Sequence, residues 1–98
     1  MIKKSNGVEI MKSVYEIGKN YLVRTVTMIY TGNLKVVTDT ELVFTQCCWI
    51  SETERWMEAV AESRFREVEP YPKNSEVIIG RSAIVDAVQI KVLPFEQK

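Results

Sequence analysis

The side chains able to do chemistry are few, and the commonest of them is missing: the sequence contains no His. That removes the usual general acid/base, the imidazole-based triads and most zinc and iron sites. Two cysteines remain, Cys47 and Cys48, adjacent in the chain. Neighbours in a strand point to opposite faces, so these two cannot bridge each other; they are expected as one buried and one half-exposed reduced thiol, with an intersubunit disulfide or redox role as the functional alternative. Glu52, Glu54, Glu58 and Glu62 could supply paired carboxylates for acid/base work, but their spacing reads as a solvated helix face. Tyr21, Tyr30, Trp49, Trp56 and Tyr71 could stack on bases, which normally also requires a basic groove. Arg24 and Asp86 each interrupt an apolar strand row. A carboxylate left alone there would be costly, so the expectation is a buried ion pair between them, at the seam of a barrel or across a subunit boundary, against the alternative of two exposed charges near strand ends. Dinucleotide, phosphate-loop and nucleophile-elbow motifs are absent. The expectation is a non-enzymatic protein without cofactor or metal.

The elements that must position these residues fit one domain of 98 residues and 11.3 kDa, with residues 1–10 as a possible loose extension. A chain of this size buries about two-thirds of its unfolded surface, enough for one modest core, which makes oligomerisation an attractive source of further burial. No apolar run approaches the ~20 residues of a membrane span and the first residues lack a signal-peptide core, so a soluble, cytoplasmic protein is expected. The 13 basic and 13 acidic side chains are unevenly placed. Residues 1–24 carry five bases against two acids, residues 25–80 five against nine, and the rest three against two. The acidic centre argues against a general nucleic-acid field.

Asn6 with Glu9 resembles a capping box, Ile10, Met11 and Val14 have helical spacing, and Gly18-Lys19 resembles a helix end; a short N-terminal helix is expected. Residues 21–30 are dominated by β-branched and aromatic types and read as one strand. Gly32-Asn33 then marks a turn, bulge or bend before a second strand at 34–37, and Thr38-Asp39-Thr40 turns into a third at 41–50. Ser51 and Glu54 form a Ser-x-x-Glu capping box for a helix over about 52–63, with Trp56, Met57, Val60 and Ala61 on one stripe. That stripe reads as core packing, or functionally as a partner contact through Trp56, Met57 and Val60. Further short strands are expected at 65–69, 76–79 and 83–92, the last with Ile84, Asp86, Val88, Ile90 and Val92 on one face.

This order of elements, with Gly32-Asn33-Leu34 and Ile78-Ile79-Gly80-Arg81 followed by Ile84, resembles the Sm-like (LSm) small β-barrel family over about residues 8–92. Gly32 and Leu34 match the family's Gly-x-Leu; Asp39 comes one position late, the family's Asn has no counterpart, and Gly80 and Arg81 stand in inverted order. The resemblance implies a mainly β (α+β) fold, a small Sm-like or SH3-like five-stranded antiparallel barrel with a short N-terminal helix and an inserted helix. It implies self-association into a ring and a ligand or RNA site carried by Arg81 first, with Gly80, Asp39 and Gly32. Stretches such as Ile17-Gly18-Lys19-Asn20-Tyr21, Arg24-Thr25-Val26-Thr27 and Glu67-Val68-Glu69-Pro70 also resemble small proteins of bacterial, prophage or phage genomes.

The leading expectation is therefore a non-catalytic barrel that forms a closed homo-oligomer and binds a small ligand or a protein partner. A phage structural or host-interaction subunit is the alternative, and single-stranded RNA binding the second alternative.

Overall fold

A computed structural model describes residues 3–5, 8–10 and 14–98, the first two segments by their backbone alone. Lys3–Ser5 (β1) and Val8–Ile10 (β2) pair antiparallel, with Lys4 opposite Glu9. The expected N-terminal helix is not formed by these segments or by residues 14–19; Asn6, Met11 and the residues beside them lie outside the described set. The competing signal was the Asn6-Gly7 dipeptide between two short runs, the strongest short-range hairpin cue.

The main sheet is antiparallel and six-stranded, built from β3 (Asn20–Thr25), β4 (Ile29–Val37), β5 (Glu41–Glu52), β6 (Glu67–Pro70), β7 (Val77–Gly80) and β8 (Ile84–Gln89). Its path runs β6-β5-β4-β3-β8, with β7 on the other half of β5. The strands number six rather than five and their ladders do not close into a barrel: among the described residues β7 pairs with β5 and β8 with β3, and the two, linked by a short 3-10 turn, Arg81–Ala83 (η1), do not pair with each other. One α-helix among the described residues, α1 (Trp56–Glu62), is inserted between β5 and β6.

The run at 21–30 is two strands and not one. Thr25 supplies the break: its backbone N–H donates to Met28 O at 2.7 Å, its hydroxyl donates to the same carbonyl at 2.8 Å, and it accepts from the Met28 N–H at 2.9 Å. A side chain that completes a turn in this way competes with continued strand. Of the three readings of Gly32-Asn33, the bulge is the one found. Gly32 lies inside β4, and the β4–β5 register shifts between Thr31 and Asn33, where β5 carries the extra residue. Gln46 there has a left-handed φ of 51°. The turn at 38–41 forms as expected, with the Thr38 N–H on Glu41 O at 2.9 Å and the Thr38 hydroxyl accepting from the Glu41 N–H at 2.9 Å.

Both faces of the sheet are buried. Tyr21, Val23, Leu34, Leu42, Phe44, Cys47 and Ile79 form one cluster, against which Ile84 and Ala87 pack. Leu22, Cys48, Ile50, Ala59, Phe65, Val68 and Ile90 form the other, under α1 and the C-terminal segment. The alternation of Tyr21, Leu22 and Val23 between two apolar layers explains the continuous apolar run in β3. The expected single-face row on β8 is broken: the register with β3 shifts between Arg24 and Thr25, leaving Val85 as the extra residue, so Ile84 and Ala87 turn inward while Asp86 and Val88 are exposed.

α1 starts later and is shorter than its capping box implies. β5 keeps pairing with β6 as far as Glu52 opposite Glu67, and the Arg66 N–H donates to Glu52 O at 2.9 Å. Ser51 is held in that strand and donates its hydroxyl to Glu67 Oε1 at 3.0 Å. The N-cap position is Arg55, with no side-chain cap; a tertiary ladder has overridden a local signal.

Candidate functional site

Arg81, Gly80 and Asp39 meet at one corner, whereas Gly32 lies in the core. Gly80 is registered opposite Glu41 at the start of β5, so η1 begins against the 38–41 turn that carries Asp39. The Arg81 N–H donates to Thr40 O at 2.8 Å, and its Nη1 to Thr38 O at 2.7 Å. Its guanidinium carbon also sits 5.4 Å from the centre of the Tyr15 ring. Arg81 thus ties η1 to the turn and is half-buried; Asp39 and Gly80 are exposed. Gly32 is buried, and a Cβ there would lie 2.9 Å from Phe44 Cβ. It serves close strand packing and cannot face a ligand.

Arg24 and Asp86 are cross-strand partners on β3 and β8. Arg24 Nε donates to Asp86 Oδ1 at 2.8 Å, and a second nitrogen to Oδ2, a bidentate pair within one chain. The side chains are 43% and 49% exposed, which corrects the expectation of burial. The β8 bulge moves Asp86 off the face that Ile84 presents to the first cluster and onto the margin of the second, where both side chains reach water. The hydrogen bond from Arg24 holds the Asp86 carboxyl below its ordinary range, with Coulombic attraction assisting against a small burial penalty. The same guanidinium lies 4.8 Å from the centre of the Trp56 ring, so the pair also braces α1 on the sheet.

The three residues read as a partner contact separate. Trp56 and Val60 are half-buried and pack on the second core cluster, whereas Met57 is 70% exposed. Both cysteines are free and both buried, one in each cluster, which corrects the half-exposed expectation while keeping the opposite faces. Cys48 donates its thiol to Pro94 O at 3.3 Å, beneath the C-terminal segment that covers it. Burial pushes the Cys47 thiol up to about 12, with Cys48 adding a smaller push. Neither is a nucleophile in this fold.

Sequence reasoning missed a groove of about 710 Å3 between the β5 bulge, the loop at residues 71–74 and the C-terminal segment at Pro94 and Phe95. No motif marks it. The legible hints were Pro70-Tyr71-Pro72 as a stiff loop and the aromatic Phe95 in a polar tail. Among the described residues no group of three or more Cys, Asp or Glu is placed to hold a metal ion. Among the described residues no helix is long and apolar enough to cross a membrane.

Fold and corner together define the class: a small β-rich domain in which an antiparallel sheet carries one helix and an Arg-anchored turn. No family model, curated protein or solved structure matches the chain.

Proposed function

We propose that the protein is a non-catalytic small β domain of Sm-like or SH3-like kind, its sheet left open, that assembles into a closed homo-oligomer and binds a ligand or macromolecular partner at the Arg81–Gly80–Asp39 corner. The observation that carries this reading is the pair of unsatisfied edges beside η1. Among the described residues β7 pairs with β5 alone and β8 with β3 alone, so each keeps one free edge there. Both bear apolar side chains in water: Ile78 on β7 is 62% exposed, and Val85 on β8 is 61% exposed. Free, apolar edges of this kind are normally covered, and two different edges on one subunit suit a heterologous contact that repeats around a ring. The far edge of β6 needs no such cover, because Lys98 exchanges backbone hydrogen bonds with Val68 at 3.0 and 3.2 Å.

Binding of single-stranded RNA draws no particular support from the corner. Arg81 is engaged by Thr38 O and by Tyr15, and the surrounding charge is mixed.

Multi-angle light scattering at micromolar concentration tests the assembly. A multiple of the 11.3 kDa subunit mass is expected. Ile78→Lys should reduce it to a monomer with an unchanged circular dichroism spectrum. A strictly monomeric wild-type protein would remove the ring.

A further inference from the structure

We propose that the groove beside the β5 bulge binds a small organic anion carrying a flat apolar ring. The site is separate from the Arg81 corner, none of whose residues lines it, and does not depend on oligomerisation.

Its size is the first support. A groove of about 710 Å3 is in the range that encloses a small ligand. Its construction is the second. Four segments separate in sequence converge on it, and two of the four non-glycine residues with positive φ in the described chain border it, Gln46 at 51° and Asn74 at 70°. Backbone held in that region is costly for a residue with a side chain, and such positions gather at ligand sites. The bulge at Gln46 is what opens the floor, since it spreads β5 at the point where Cys47 turns into the core.

The charges are the third support. Lys35 is matched by Glu76, with Nζ donating to Oε2 at 2.6 Å. Lys73 is exposed and makes no hydrogen bond or ion pair among the described residues. The lining therefore carries one uncompensated cation, and the floor beneath it stays uncharged because Cys47 remains a neutral thiol at physiological pH. An anionic head group meets Lys73 without repulsion from below.

The walls select what the anion is attached to. Tyr71 is half-buried and braced by Tyr30 at a ring separation of 6.4 Å, which fixes one flat side. Phe95 also lines the groove, at 78% exposure, a large apolar ring left in water. A flat ring packed in the groove against these two side chains would remove apolar surface from water. The exposed side-chain amides of Gln46 and Asn74 supply neutral donors near the head group. A carboxylate and a phosphate monoester share this chemistry.

The test is a fluorescence titration of the full-length protein with 8-anilinonaphthalene-1-sulfonate, an aromatic anion, followed by competition. Saturable binding at one dye per chain is expected, displaced by benzoate or by phenyl phosphate. Whichever displaces better assigns the head group. Acetate and inorganic phosphate, which lack the ring, should not compete. Lys73→Glu should weaken the dye about tenfold, a change of about 1.4 kcal/mol, and Phe95→Ala severalfold, while Lys91→Glu outside the groove changes nothing. Lys73→Gln, with an unchanged melting temperature as the folding control, should fall between wild type and Lys73→Glu. Unchanged affinity in both Lys73 variants, equal displacement by acetate, or no displacement by either aromatic anion would overturn the proposal.

Discussion

Replacing Gly32 by Ala adds one methyl group at the tightest approach in the sheet. A Cβ at this position falls 2.9 Å from Phe44 Cβ and 3.2 Å from Phe44 Cδ1. Carbon atoms prefer ~3.5 to 4 Å, so the overlap is more than half an ångström. Phe44 cannot retreat, being 1% exposed within the first core cluster. Overpacking of this sort costs about 1–3 kcal/mol. Against it stands the entropy released by removing a glycine from a strand, ~0.5 to 1 kcal/mol. The strain wins, for a net loss of about 1–2 kcal/mol. For a domain of this size that is a fall in Tm of roughly 5 to 12 °C. Gly80→Ala provides the matched control: its φ is −67°, and a Cβ there meets nothing within 4 Å. Its stability should change by less than about 0.5 kcal/mol. Urea unfolding at one fixed protein concentration, followed through Trp49 and Trp56, measures both, since association would otherwise shift the apparent stability. Equal losses in the two variants, or a Gly32→Ala protein as stable as wild type, would refute close packing as the reason for the glycine.

Two pH dependences follow from the titrating groups. The folded Cys47 thiol is raised to about 12 from an ordinary 9.0, so its contribution is intact below pH 9 and declines as pH rises toward 12, by at most about 1.4 kcal/mol per unit. Cys47→Ala should show a shallower alkaline decline than wild type in denaturant unfolding at pH 8 and pH 10; parallel slopes would contradict burial of the thiol as its cause. Asp86 has the opposite sign: its folded carboxyl titrates below its ordinary range, so the ion pair adds stability above that range, which is lost as pH falls through the lowered value. Asp86→Asn should therefore be less stable than wild type at pH 7 and low salt, and the two should converge in acid or in 1 M NaCl. A gap that persists in both conditions would mean that Asp86 acts by some route other than Arg24.

How far the sequence carried the fold depended on whether local and long-range preferences agreed. They agreed at Thr38-Asp39-Thr40, where the Thr38 hydroxyl caps the turn it sits in. They disagreed at Ser51-Glu52-Thr53-Glu54: the capping box was a sound local signal, yet the ladder from β5 to β6 took Ser51 and Glu52 into a strand. Bulges were the other loss. Alternation assigned Ile84 and Asp86 to one face, and a single extra residue at Val85 reversed everything after it. The pairing of Arg24 with Asp86 was legible as two charges interrupting apolar rows, but their exposure depends on that same bulge. Gly32 was legible as a special position and not as a core residue, since the need for glycine comes from Phe44, twelve positions away. The groove could not be read at all, because its walls come from four separate segments and its chemistry lies in one lysine left without a partner among the described residues.

β5 is where these threads join. It pairs with β4 along its length, with β7 through Glu41 to Phe44, and with β6 from Cys48 to Glu52. The ladder to β7 ends at Phe44 and the ladder to β6 begins at Cys48, so β5 changes partner across Thr45 to Cys47. The left-handed Gln46 between the two pairing regions supplies the bend. That same residue lines the groove, so the distortion that lets one strand organise a two-sided core also makes the cavity beside it. The edges left open by this arrangement, on β7 and β8, flank η1 and Arg81. Assembly at those edges would therefore act on the Arg81 corner first, while the groove, built on the bend and closed by the C-terminal segment, could be filled or emptied without disturbing any contact made there.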